Sequence, residues 1–357
     1  MRYILIILLS LLSLSCSSQN VELLFAGDAM QHIPQVKAAS RAGGRFDYSD
    51  CLKWIKPDIS EADYAVVNLE CPLGGKPYSG YPAFSAPDAW GKYLLDCGFD
   101  LVLTANNHCL DRGARGLRRT ISMLDGWGVP HVGTYVNALA RNRQLPCIID
   151  VKGIKIAFLD YTYGTNGIEP KGGVVVDYIN RNVIGRDIDQ AREQGAQLIC
   201  VNMHWGTEYK LVPVKSQIAL ADFLVAKGVD LIIGGHPHVV EPFEMRYSIA
   251  YDKRVLLVYS LGNLISAQSG TDSRGGAMVK VGITIDAEGN PRIINPRYKL
   301  FFCQHQLKGK GNFTLIPENR PDLLRPDSRK AFNTFMQRAH ALVMDHNVDV
   351  PQEITVQ

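Results

Sequence analysis

Gly234-Gly235-His236-Pro237-His238-Val239 follows directly on the short, mostly apolar run 229–233. That run is rich in branched side chains and closed by glycine, which predicts a buried strand ending in a sharp turn. Two imidazoles, one proline apart, then stand at the strand's carboxyl end, the edge where open α/β sheets bind their ligands. Neutral imidazole is the commonest side-chain metal ligand, and two such rings can serve one small polar centre. A solvated turn explains the same two histidines equally well, because H-x-H alone is a weak pattern. The rest of the chain decides between them.

Working outward, the arrangement recurs. Run 21–26 breaks at Gly27-Asp28, run 64–69 at Glu70-Cys71-Pro72, and run 99–105 at Asn106-Asn107-His108. Run 154–159 leads into Asp160-Tyr161-Thr162, run 197–203 breaks at His204-Trp205-Gly206, and run 255–261 precedes Gly262-Asn263. Between them lie helical patterns, with Leu117, Ile121 and Leu124 on one face and Ile218, Phe223 and Val225 less regularly spaced. Strands alternating with helices of this length predict a layered α/β fold.

Asp28, Glu70, Asn107 with His108, His204, and His236 with His238 each follow on a separate strand-like run. If those runs share one sheet system, its carboxyl edge gathers them. Two carboxylates, an amide oxygen and several imidazoles form an N/O donor set suited to Zn, Mn or Fe. Singly, each has a plain structural explanation: Asp28 as a turn residue or helix cap, Glu70 as a solvated strand end, His204 packed on Trp205. Their joint placement favours one site.

The ordered set Gly27-Asp28, Asn68-Leu69-Glu70, Asn106-Asn107-His108 with Asp111 and Gly113, His204-Trp205-Gly206 with Glu208-Tyr209, Gly235-His236-Pro237-His238 and Ser260-Leu261-Gly262-Asn263 resembles the CapA family of poly-gamma-glutamate capsule biosynthesis proteins. That family lies within the calcineurin-like metallophosphoesterase superfamily, and the resemblance spans residues 22–286. It implies a four-layer αββα sandwich with a site for one or two divalent transition-metal ions at the strand ends. By motif, Asp28, Glu70, Asn107, His204, His236 and His238 would be the metal ligands, with Glu70 in the bridging place. His108 would be the acid-base histidine, with Asp111 orienting it, while Tyr209 and Asn263 are candidate substrate contacts. The superfamily's usual Asp-x-His is here Asp28-Ala29-Met30, and a glutamate at 70 replaces the usual bridging aspartate. His32, one helical turn past Asp28, supplies an imidazole if a helix starts there, and is otherwise a surface residue. The implied activity is metal-dependent, phosphoesterase-like hydrolysis in the cell envelope, on an envelope polymer or its phosphorylated precursor. The alternative is a non-catalytic envelope factor that binds an anionic polymer for export or anchoring alongside capsule synthesis or export proteins.

Arg2 and the apolar stretch up to Leu14 have the form of an export signal over residues 1–15. Cys16 after it resembles a lipoprotein cleavage site, with Ser13 where leucine is usual, and a plainly cleaved signal is the other reading. The expected localisation is therefore an exported, membrane-anchored lipoprotein. A net charge of +3 without any basic block gives no support for nucleic-acid binding. Of eight cysteines, seven follow Cys16 without a CxxC pair, a scatter unlike a disulfide framework or a cysteine-ligated zinc. The expected organisation is one metallophosphoesterase-like domain over 21–300 and a C-terminal extension over 301–357. In that extension Ser328 starts a helix whose stripe of Phe332, Phe335, Met336, Ala339, Leu342 and Val343 packs back on the domain or meets a partner.

Overall fold

The computed structural model describes residues 20–309 and 311–353. The expected signal segment and Cys16 lie outside the described residues. Two sheets face each other. The first runs in the order β16 (Thr314–Pro317), β15 (Pro291–Gln304), β14 (Gly275–Ile285), β1 (Val21–Ala29), β2 (Tyr64–Asn68), β3 (Leu101–Leu103) and β4 (His131–Val132), with β13 (Asn263–Ile265) also pairing to β1. The second runs β11 (Phe243–Ser248), β12 (Lys253–Val258), β10 (Leu231–Gly235), β9 (Leu198–His204), β7 (Ile154–Thr162) and β6 (Cys147–Val151). A small pair, β5 (Thr134–Tyr135) and β8 (Val175–Val176), lies apart.

The layering follows from strand periodicity. Successive side chains of a strand point to opposite faces. Accordingly Val21, Leu23 and Phe25 of β1, with Tyr64 and Val66 of β2, pack into the core shared with the second sheet. Their neighbours Leu24, Ala26, Ala65 and Val67 face a separate core closed by Ile59 of α2 (Lys56–Glu61) and by Trp90 and Leu94 of α3 (Asp88–Asp96). On the other side, α6 (Arg181–Glu193) and α7 (Lys215–Ala226) bury Ile184, Ile188, Leu220 and Leu224 with the second sheet. This is a four-layer αββα sandwich, the architecture that the resemblance implies. The remaining helices α1 (Ile33–Ala39), α4 (Gly113–Gly126) and α5 (Ala138–Gln144) fill connections.

Inside each sheet the strands that lead to the site are parallel: β1, β2 and β3 in one, and β7, β9 and β10 in the other. Their carboxyl ends therefore emerge on one side. Three local expectations change. On α7 the buried residues are Leu220, Ala221 and Leu224, while Ile218 is exposed, because the face toward the sheet is set by tertiary packing. The chain passes residue 300 in the middle of β15, so 301–304 and β16 belong to the first sheet. Ser328 stands at the start of α8 (Arg329–His346) without a side-chain capping hydrogen bond, yet the whole expected stripe of α8 is buried. Phe332 and Phe335 of that stripe meet Phe302 of β15 edge-on and tilted. No helix among the described residues is long and apolar enough to cross a membrane, and Cys51, Cys71, Cys97, Cys109, Cys147, Cys200 and Cys303 are all free thiols.

Candidate metal centre

Both sheets contribute. Asp28, at the irregular end of β1, sits opposite Asn68 of β2 and Asn263 of β13. Its Oδ1 accepts a hydrogen bond from Asn68 Nδ2 at 2.8 Å, and its Oδ2 accepts from the backbone N–H of His236 at 3.1 Å. That second bond crosses from one sheet to the other. Gly235 permits it, since a Cβ there would stand 2.8 Å from Asp28 Oδ1. Past Gly235 the backbone enters the left-handed region twice, with φ of 94° at His236 and 58° at His238. Such geometry in bulky residues costs on the order of 1–3 kcal/mol each and is typical of functional sites. It turns both imidazoles back toward Asp28 and Glu70.

Glu70 lies at the centre. Its Oε1 is 3.5 Å from His204 Nε2 and 3.7 Å from His238 Nε2. The carboxyl is fully buried, and neither oxygen has a hydrogen-bond partner; Nδ1 of His236 is likewise unpartnered, while Nδ1 of His238 lies 3.3 Å from Asp28 Oδ2. Two donor groups, Glu70 with His236 and His238, and Asp28 with Glu70 and His204, each bring their ligating atoms within 4.8 Å of one another. Glu70 belongs to both, which is the place of a bridging carboxylate. Asn107 joins through its Oδ1, 2.8 Å from His204 Nε2. Orphaned buried donors and acceptors are rare and costly, and a divalent cation answers all of these together. The residues present therefore fit one or two ions.

The electrostatics agree. Burial, then Asp28, pushes Glu70 well above the usual carboxylate range. Burial, reinforced by His238, lowers His204 to about 3 and His236 to about 2. At His238 burial works downward, but Glu70 and Asp28 outweigh it and bring the ring up to about 9. The cluster thus strains to place two acidic groups together and keeps two of its imidazoles deprotonated, as ligands must be.

His108 stands apart from both donor groups. Its Nδ1 lies 2.8 Å from Asp111 Oδ2, in a pair with side chains 3% and 1% exposed. The Asp111 oxygen also accepts the Phe84 backbone N–H at 2.7 Å, and the Phe84 ring meets the imidazole edge-on at 4.7 Å. Burial opposes the protonated ring, yet Asp111 and Glu70 raise it above its ordinary value.

The other expected residues fall differently. Tyr209 is 55% exposed and its ring is 6.2 Å from that of His238. Asn263 is buried; its Nδ2 donates to the carbonyls of His238 and Ser273 and to Gln268 Oε1, clamping the histidine turn, while its Oδ1 has no partner. His32 does not join the metal groups. It precedes α1, takes the Ala267 N–H at 3.4 Å on Nδ1 and packs edge-on against Phe84 at 5.1 Å. Met30, where the superfamily's histidine is usual, is buried in the outer core.

Several further residues support the site in roles that strand-end position alone does not assign. Asn106 donates to Asn68 Oδ1 and accepts the His108 N–H. Asp160 reaches from the second sheet to take the N–H groups of Thr104 and Ala105, bracing the loop that carries Asn107 and His108. Asn166 contacts both Asn107 at 3.3 Å and His108 at 3.4 Å. Tyr163 lays its ring 4.4 Å from His236. Asn68 and Asn106 stand inside the quoted motifs, and Asp160, Tyr163 and Asn166 in the polar turn after run 154–159, but strand-end position assigns none of them a partner.

The family model described as bacterial capsule synthesis protein PGA_cap matches residues 22–268, well over half of the chain. The chain belongs to the PGA_cap family. Relatives of this PGA_cap chain include the capsule biosynthesis protein CapA of Bacillus anthracis, 27% identical over 278 residues that cover 74% of this chain and 64% of the relative. The PGA biosynthesis protein CapA of Bacillus subtilis is 28% identical over 264 residues, covering 72% and 66%. The chain thus spans just under two thirds of the length of these relatives. Among solved structures, the NAD nucleotidase of Haemophilus influenzae superposes with a TM-score of 0.51 at 14% identity, covering 93% of this chain and 57% of that one. A putative 5′-nucleotidase from Staphylococcus aureus gives 0.52 at 15%, covering 89% and 58%. These two likenesses establish the fold that PGA_cap chains share with nucleotidases.

Proposed function

We propose that the chain is a metal-dependent, phosphoesterase-type hydrolase of the cell envelope, acting on a phosphorylated precursor or polymer in capsule or poly-γ-glutamate-type assembly. The single observation that supports this most is the buried Glu70 carboxylate, unpartnered and shared by two donor groups, beside a His108–Asp111 pair outside both. Asp28, Glu70, Asn107, His204, His236 and His238 would hold the metal. A divalent Mn, Zn or Fe ion supplies Lewis-acid polarisation of a phosphoryl oxygen and acidifies water. The protein's own part is positioning and proton transfer. Asp28, braced by Asn68 and the His236 N–H, sets the ligand geometry before any ion arrives. Asp111 occupies His108 Nδ1, which leaves Nε2 to hand a proton to the leaving oxygen. Attachment to the membrane through Cys16, near capsule synthesis or export proteins, belongs to the same reading.

The test is purified protein loaded with Mn or Zn and assayed against a phosphoester panel and γ-linked oligoglutamate. Turnover that a chelator abolishes and added metal restores is the expected result. Stoichiometric bound metal with no turnover across the panel would instead favour a factor that binds an anionic polymer without cleaving it.

A further inference from the structure

Beside the metal centre lies a cleft of about 480 Å³ bordered by His32, Tyr81, Tyr209, Gln268 and the loop through Asp272. We infer that this cleft is a subsite for an uncharged sugar ring, so that the substrate of the proposed hydrolysis is a phosphorylated glycan precursor. The inference rests on the phosphoesterase reading for the reaction, but the cleft itself is read from its own walls.

Both walls are tied to the reacting groups. Tyr209 adopts a positive φ of 64°, and its N–H donates to the Pro237 carbonyl between the two histidines at 2.8 Å. Its ring is thereby fastened to the metal-binding turn. Tyr81 sits at the tip of a loop closed by mutual backbone hydrogen bonds between Ser79 and Ser85. Gly80 lets that loop lie against the start of α1, because a Cβ there would stand 2.7 Å from the Ile33 nitrogen. The same loop carries Phe84, whose N–H holds Asp111. One loop therefore borders the cleft at one end and orients the acid-base pair at the other.

The chemistry of the lining selects the ligand. Tyr81 is 74% exposed and Tyr209 55% exposed, so two aromatic rings border one cavity with much of their surface uncovered. Ligand sites combine such apolar faces with a few placed polar groups. Here those groups are the Gln268 amide, 3.4 Å from the Tyr209 hydroxyl, and the hydroxyls of Ser269 and Thr271. Among the described residues the lining holds no lysine or arginine. Burial lowers His32 to about 4, leaving it neutral at pH 7. Asp272 is engaged by Arg338 in a two-pronged ion pair at 2.6 and 2.7 Å. Glu208, exposed and next in the chain to Tyr209, adds an acidic side chain beside that wall. A polycarboxylate entering this cleft finds no cation and meets an acidic neighbour. A pyranose offers C–H faces to the tyrosine rings and hydroxyls to the amide and hydroxyl groups.

The test uses the full chain, with and without Mn, in calorimetric titrations against neutral trisaccharides (chitotriose and maltotriose), γ-linked pentaglutamate and AMP. At least one trisaccharide is expected to bind wild type, and Tyr81→Ala or Tyr209→Ala to weaken it about tenfold or more. Tyr209→Phe, which keeps the ring, is expected to retain most of the affinity. Circular dichroism checks that these exposed substitutions leave the fold intact. Binding of neither trisaccharide, or tighter binding of pentaglutamate or AMP with the same loss in the tyrosine variants, overturns the inference. Because sugar binding is read without turnover, a protein that binds a trisaccharide but hydrolyses nothing refutes the phosphoesterase reading alone. A protein that hydrolyses phosphoesters but binds no sugar refutes only the cleft.

Discussion

Replacing Glu70 by glutamine separates a ligand from a structural residue, because the two roles predict opposite signs. In the metal-free protein the carboxyl is fully buried with both oxygens unpartnered. A buried polar group in that state costs about 1–3 kcal/mol. The amide keeps the shape and cannot ionise beside Asp28, which together with burial pushes the Glu70 carboxyl well above its usual range. Metal-free Glu70→Gln is therefore expected to be more stable than metal-free wild type by about 1–3 kcal/mol. At about 2–4 °C per kcal/mol for chains of 150–250 residues, and less for longer ones, that is a rise of a few degrees in Tm. Metal reverses the order. An ion at a hundred times its Kd stabilises wild type by about 2.7 kcal/mol, whereas the variant has lost the ligand common to both donor groups. Thermal unfolding in chelator and in excess Mn, paired with elemental analysis, reads both signs. A variant that is less stable than wild type in chelator yet gains the same increment from Mn would refute this account of Glu70.

Three further outcomes are expected. His108→Ala should keep its metal and fold while losing turnover by about 100-fold or more, and Asp111→Asn should lose roughly 10- to 100-fold, both seen in kcat with metal content measured alongside. Glu241 is buried beside Gln217, and burial lifts it from 4.5 to about 8. The folded state then holds a proton that the unfolded chain releases, so this contribution is fully present below about pH 4.5 and is lost as pH rises through about 8. At about 1.4 kcal/mol per pH unit it is worth on the order of 5 kcal/mol. Glu241→Gln should flatten that decline in denaturant unfolding at pH 5 and 8.5, and an unchanged slope counts against it. Finally, Cys16→Ala is expected to move the protein from the membrane to the soluble fraction, and unchanged fractionation would argue against lipidation.

Much of this molecule is written in local pattern. The apolar, branched runs and the breaks after them are short-range properties, and strand ends fall within a few residues of where those runs stop. That is why Asp28, Glu70, Asn107, His204, His236 and His238 were legible as one group before any coordinates. The four-layer sandwich came from the ordered motifs taken together. Other features depend on groups far apart in the chain. The bond from His236 N–H to Asp28, 208 residues away, exists only because two sheets converge. The same convergence buries the Glu70 carboxyl beside His204 and His238 without a hydrogen-bond partner. Asn263 stood out only by its strand end, and the assembled fold shows its Nδ2 clamping His238, Gln268 and Ser273 while its Oδ1 stays without a partner. His32 lay one turn from Asp28 in sequence, but the packing of Phe84 and Ala267 takes it away from the ligands. Ile218 on α7 and the continuation of β15 past residue 300 were likewise settled by what each face meets. Periodicity specifies which side chains share a face; only the assembled layers specify what that face touches, because contact energy is decided by partners that no local window contains.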